Sequence, residues 1–179
     1  MNIFYVDSDP VIAAQSLVDK HCVKMIVETA QLLSTAHRVI DGTPIVVRNE
    51  NGRKQTRWVL NDSRETKLYL ATHINHPSAV WARTTSENYI WLFNHFVGLT
   101  EEYKYRYEKV HKATALIPVI SKLPNNITIG KFHQPTVAMD DKYKVSDDSI
   151  QCYRNYYIHG KSHLFSWKKR QQPQWITQC

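Results

Sequence analysis

Glycine is scarce and scattered in this 179-residue chain, and that alone closes off two large classes of fold. The five glycines stand at Gly42, Gly52, Gly98, Gly130 and Gly160, never closer than ten residues. A G-x-G-x-x-G turn or a Walker loop needs clustered glycines so that backbone N–H groups can approach phosphate. Neither pattern exists here, which excludes Rossmann dinucleotide enzymes and P-loop nucleotide hydrolases. What punctuates the chain instead is proline behind capping residues.

Ser8-Asp9-Pro10 opens the first helix, with Asp9 as N-cap and Pro10 at the first helical position, where its missing N–H costs nothing. Val11, Leu17, Val18, Cys22, Met25, Leu32, Leu33 and Ala36 recur at helical period, predicting helix one over 10–38, before Asp41-Gly42. Residues 2–6 ahead of it are apolar, extended and buried. Ile45-Val46-Val47 and Trp58-Val59-Leu60 flank the turn dipeptide Asn51-Gly52, predicting a β-hairpin over 44–60. Its arms and tip carry Arg48, Arg53, Lys54 and Arg57, which read either as a solvated loop or as a basic finger. His76-Pro77-Ser78 opens helix two, 77–112, with a possible bend at Gly98. Residues 113–145 hold Pro118, Pro124 and Pro135 and read as loop. Ser146-Asp147 caps helix three, 147–169, with Pro173 beyond its end. The expected fold is mainly α, three long helices with a small β-hairpin insertion in one domain, as the length suits.

Lys plus Arg number 23 against 16 Asp plus Glu, a net charge of +7 with nine histidines besides. The resulting pI near 9.3 points to an anionic partner. Cys22, Cys152 and Cys179 form no C-x-x-C pair and are odd in number, which argues against a disulfide framework or a cysteine zinc site. Asp7 and Asp9 stand where a signal peptide would be basic and then apolar, and no apolar run is long enough for a membrane span. A soluble cytoplasmic protein, without a membrane partner, is expected.

On helix one, His21, Lys24, Glu28 and Gln31 step by three, four and three, and at 100° per residue share one narrow stripe. A polar stripe is usually a wet face. This one is flanked by Cys22, Val23, Met25, Ile26 and Val27, apolar surroundings in which a carboxylate becomes useful for proton transfer. The pairs His73/His76 and His159/His163 have metal-compatible spacing but no signalled third ligand. His76 reads better as a helix-opening residue that also touches a ligand. Basic residues interleave with aromatics twice, in Tyr103-Lys104-Tyr105-Arg106-Tyr107 and from Tyr153-Arg154 through Lys161 to Trp167-Lys168-Lys169-Arg170. Cations neutralise phosphates while aromatic faces stack on bases. Nucleic acid, double-stranded DNA first, is thus the leading partner, with nucleotides next. The competing reading is tyrosines in the core of amphipathic helices.

The order of these features resembles the phage endonuclease V type of pyrimidine dimer DNA glycosylase. That family is small, basic and built on three main helices, the first bearing a His and, seven residues later, the catalytic Glu. Leu17-Val18-Asp19-Lys20-His21 followed by Glu28 is similar in spacing and position, and the likeness returns in His133-Gln134-Pro135-Thr136 and in Pro173-Gln174-Trp175. It touches both ends and the middle of the chain, and the hairpin region 43–70 is an insertion relative to it. The resemblance implies that a protein amine attacks C1′ of the damaged nucleotide to give a Schiff base, after which β-elimination cuts the strand. An α-amino group qualifies, with an ordinary pKa of ~7.7–8.0. The carboxylate would stabilise the ring-opened sugar cation and shuttle protons, and the family flips a base out of bent DNA.

This chain departs from the family at several positions. Asn2 is bulky for methionine removal, so the amine is expected to be that of Met1. The arginines before and after the catalytic Glu are Val27 and Gln31 here, with Lys24 able to replace one charge; Lys168 falls at a phosphate-contacting lysine, but the arginine one turn earlier is Leu164. The expectation is a DNA glycosylase, with or without lyase activity, acting on a damaged or modified base. Met1 would be its nucleophile, Glu28 its carboxylate and His21 its substrate-orienting group. Lys24, Gln31, Arg48, Arg53, Lys54, Arg57, His76, Lys161, Lys168, Lys169 and Arg170 would contact substrate or DNA, with no metal and no cofactor. Two alternatives stand beside it: a hydrolase or transferase for nucleotides or hypermodified bases, and a non-catalytic nucleic-acid-binding or inhibitor protein.

Overall fold

The computed structural model describes residues 1–177, so Cys179 lies outside them. The fold is mainly α with one small hairpin. In chain order it has α1 (Pro10–Ser16), α2 (Asp19–Asp41), β1 (Thr43–Arg48), β2 (Lys54–Val59), α3 (Pro77–Ala82), α4 (Ser86–Tyr107), α5 (Ile117–Ile120), α6 (Ser149–Gly160) and α7 (Gln174–Thr177). α1 and α2 both pack on α4, and α2 is the centre of the core. Most of its residues are buried, which leaves Lys20, Val23, Lys24 and Val27 as an exposed strip with Glu28 and Gln31 half-buried beside it. Residues 3–6 thread into the same core.

Each of the three long predicted helices is shorter or interrupted. Helix one breaks at Leu17-Val18, both extended and fully buried, so that α1 and α2 meet at an angle. Apolar periodicity runs straight through that point, but distant side chains satisfy the opened backbone. The Arg106 guanidinium donates to the carbonyls of Gln15 and Leu17, and Val18 N–H donates to the Tyr157 hydroxyl. The capping of α1 is as expected, with Asp9 Oδ1 accepting from Val11 and Ile12 N–H.

Helix two is three pieces. His76 caps α3, its Nδ1 accepting from Ser78 N–H. The chain then breaks at Arg83–Thr85, and Thr85 caps α4 by accepting from Asn88 N–H. α4 stops at Tyr107, with Glu108 in the left-handed region, and Lys112–Leu116 forms a separate 3-10 turn. No interruption occurs at Gly98. A Cβ there would lie 3.2 Å from the Cβ of Ala14, so the glycine lets α1 approach α4.

Helix three begins at Ser149 with Asp148 as its cap, and it ends at Gly160 rather than 169. A 3-10 turn at Ser162–Leu164 and extended residues follow, tied down where Asp19 accepts from Ser166 Oγ–H and Lys168 N–H. The hairpin keeps the expected antiparallel register, Thr43 opposite Val59 through Arg48 opposite Lys54. Its turn runs from Asn49 to Arg53, with Gly52 at φ 71° supplying the left-handed residue that such a turn requires.

Two buried arginines hold the ends of α2. At its start Arg106 bonds Glu102 (2.6 Å) and Asp19 (3.0 Å) as well as the two carbonyls of the break. At its end Arg38 donates to the carbonyls of Trp58, Glu65, Leu68 and Tyr69 and to the Glu65 carboxylate. Removing one partner of a buried pair strands the other. Arg106→Met is expected to destabilise the fold by about 3–5 kcal/mol in urea titration. Arg106→Lys should recover little of it, because one ammonium cannot span the acceptors of a planar fork.

Candidate functional site

Glu28 lies midway along α2, with a side chain 15% accessible. Its Oε1 is 3.2 Å from Lys24 Nζ, one turn back on the same strip. Its Oε2 accepts from the backbone N–H of Asn2 at 3.1 Å, bringing the first residues of the chain onto the carboxylate. That approach is built locally. Asn2 Oδ1 accepts from Ile3 and Phe4 N–H while its Nδ2 donates to Ala138 O. Phe4 takes φ 54°, Val6 N–H closes back on Phe4 O, and Arg154 donates to Val6 O. Asn2 is therefore a site residue that sequence reasoning treated only as bulk; an Asn able to bond the next two N–H groups was the available signal.

His76 completes this cluster. Burial lowers its pKa, as do the positive N-terminus and His73, while Glu28 acts in the opposite direction. Met1, Glu28 and His73 thus all lie within electrostatic reach of His76. A cavity of about 360 Å³ opens between α3 and the 133–136 segment, walled by Pro77, which follows His76 in the chain, and by Val80, Trp81, His133, Gln134 and Thr136. Trp81 Nε1–H donates to His133 O, and Gln134 Oε1 accepts from Ser149 N–H, so the wall is braced from both sides.

His21 sits beneath the site rather than in its mouth. It is 6% exposed, stacked on Phe4 at 4.3 Å, with Nδ1 2.7 Å from the Tyr157 hydroxyl. Burial, then the charges of Lys161, Lys24 and His163, push its pKa down to about 4, so the ring is neutral near pH 7. Tyr157 accepts from Val18 N–H, leaving its own proton for His21 Nδ1. The aromatic row continues from Phe4 to Tyr156 at 6.2 Å, and Lys161 Nζ covers Tyr156 at 4.8 Å.

The other expected contacts are spread along α2, whose 23 residues span about 33 Å. Gln31 is half-buried one turn beyond Glu28. Arg48, Arg53, Lys54 and Arg57 are exposed on the hairpin that follows the C-terminal end of α2. Lys168, Lys169 and Arg170 lie at the N-terminal end. Lys168 Nζ covers Tyr107, Lys169 is ion-paired with Glu108, and Arg170 grips the buried Glu102 carboxylate. Arg106, from the first basic-aromatic stretch, is fully buried and unavailable to any partner. Among the described residues no three His, Cys, Asp or Glu side chains converge into a metal-holding group, and no helix is long and apolar enough to cross a membrane.

His37 and His95 are also buried, and burial likewise pushes each down to about 4. With His21 they make acid a specific threat. Their folded pKa values lie below the unfolded 6.5, so the unfolded chain binds protons first as the pH falls. Stability is expected to hold above about pH 6.5 and to drop between 6.5 and 4, by up to about 1.4 kcal/mol per pH unit for each histidine. Urea titrations across that range check this, and His21→Phe should flatten the slope by its own share. No family model, curated protein or solved structure matches the chain, so the reading of this site rests on its geometry.

Proposed function

We propose that the protein is a DNA glycosylase with an associated lyase step, acting in the cytoplasm on a damaged or modified base in duplex DNA. The observation that carries the reading is the Asn2 N–H···Glu28 contact at 3.1 Å, which sets the first residue of the chain beside a carboxylate on a rigid helix. The Met1 amine attacks C1′ as the glycosidic bond breaks, and the base leaves with the bonding pair and gains a proton. Glu28 stabilises the opening sugar cation and moves protons. Loss of a C2′ proton from the resulting imine then expels the 3′ phosphate. His21 orients substrate indirectly, by holding Phe4 and with it the N-terminal segment. His76 feels the charge of the amine, and the cavity that begins at Pro77 offers apolar walls for a displaced base. Lys24, Lys161 and Lys168 contact phosphates on one side of Glu28, and Arg48, Arg53, Lys54 and Arg57 do so on the other.

A second reading, processing of free nucleotides or hypermodified bases by hydrolysis or transfer, is favoured by the neighbours of Glu28. Val27 is 37% exposed and apolar, and neutral Gln31 follows, where duplex-gripping arginines would be expected. Binding that ignores salt and prefers mononucleotides would support it, because duplex contacts release counterions.

Borohydride reduction during incubation with abasic-site and ultraviolet-irradiated duplexes tests the first reading. The expected product is a covalent complex whose mass maps to Met1. Absence of a crosslink on both substrates removes the amine chemistry. Glu28→Gln is expected to abolish turnover and leave duplex binding nearly intact; unaltered turnover removes the carboxylate role from Glu28.

A further inference from the structure

The β1–β2 hairpin is unlike the rest of the chain because it packs against almost nothing. Residues 43–46 and 54–57 are all exposed, including Ile45 at 42% and Val46 at 70%. A two-stranded hairpin alone in water is marginal at best, yet this one is anchored firmly at its base. Arg38 Nη1 donates to Trp58 O, and Glu65 accepts from both Arg38 and Leu60 N–H. The base of the ribbon is thus tied to the C-terminal end of α2.

Its charges make little sense for its own stability. Arg48, Arg53, Lys54 and Arg57 face one carboxylate, Glu50, a net +3, and Arg48 lies directly opposite Lys54 in the register. Like charges across a strand pair are destabilising, so the arrangement calls for a polyanion. The shape specifies which kind. Two strands spaced by about 4.8 Å make a ribbon of the sort that the major groove of duplex DNA, about 12 Å wide, admits. On one face stand Ile45, Val47, Gln55 and Arg57, the apolar, amide and guanidinium groups that meet thymine methyls, adenine and guanine edges. The β2 side of the ribbon flanks Leu70 and Ala71, from which the chain runs through His73 to His76.

We propose that the β1–β2 ribbon lies in the major groove of duplex DNA and sets the register of the Glu28 site on it. This rests on the duplex-DNA reading above and adds to it where the protein grips and how. Phosphate contact by the four cations supplies affinity, and the face that carries Ile45, Gln55 and Arg57 supplies groove recognition.

The test uses the full chain and fluorescence anisotropy on a duplex oligonucleotide over a salt series. Two variants are compared with the parent: R53Q/K54Q/R57Q, and a shortened hairpin in which 47–55 is replaced by Asn-Gly between Val46 and Thr56. Thermal unfolding monitors their fold, and these exposed changes should leave it unaltered. The triple variant is expected to lower the slope of log affinity against log salt by about 2–3. Bulky 5-substituents on the pyrimidines, which fill the major groove, should weaken parent binding tenfold or more and leave the shortened variant indifferent. A minor-groove ligand should change neither. If the parent binds duplex and both variants keep its affinity and salt slope, the ribbon proposal is overturned and the glycosylase reading stands. Equal effects on single strands would also overturn it, by making the ribbon a general polyanion patch. A parent that binds no duplex overturns both.

Discussion

The guanidinium of Arg106 is the contact on which the rest of this structure turns. It sits where α1 stops and α2 starts, and it joins that break to α4 through Glu102 and to the start of α2 through Asp19. A buried charge of this kind is tolerable only when its donors are met, and here two carboxylates and two carbonyls meet them. Arg170 reaches the same Glu102 from the tail, so the segment after α6 is fastened to the same point. Arg38 does the corresponding work at the other end of α2, gathering the hairpin and the 65–69 turn. Between two pinned ends the middle of the helix has little freedom, and the middle is where Glu28 stands.

What the sequence made legible was local. Asp9-Pro10 and His76-Pro77 cap their helices because cap chemistry lies within two or three residues, and Asn51-Gly52 turns the hairpin for the same reason. The helical step from His21 to Glu28 put the two on one stripe, but Glu28 is half-buried beside the exposed strip and His21 turns inward. The breaks were not legible. Leu17-Val18 keeps its apolar period while its backbone is satisfied by Arg106 and Tyr157, far along the chain. Ser166 and Lys168 are likewise pulled out of a helix by Asp19. Arg106 and Arg170 looked like basic surface because composition cannot tell a solvated cation from one held on a buried carboxylate.

The site has a similar history. Its carboxylate comes from a helix, a rigid support, but its other half comes from a segment with no regular structure at all. That segment holds its shape through Asn2 and Arg154 and accepts an aromatic residue in the left-handed region at Phe4. Such a conformation costs on the order of 1–3 kcal/mol and persists only where surroundings enforce it. Here His21 below and Tyr156 beside the ring do so. The strained residue thus lies two places from Asn2, whose N–H meets the Glu28 carboxylate.

The burial of residues 3–6 also bears on how the molecule is made. Val6 receives its bond from Arg154, 148 residues later, and Tyr153 and Tyr157 close over the same segment. At roughly 5–20 residues per second, a ribosome takes about 7–30 s to supply those partners. Through that interval the Ile-Phe-Tyr-Val stretch has only its earlier partners, His21 and Trp91 among them, and lacks the cover of α6. The cover over residues 3–6 is thus completed only once α6 has been made.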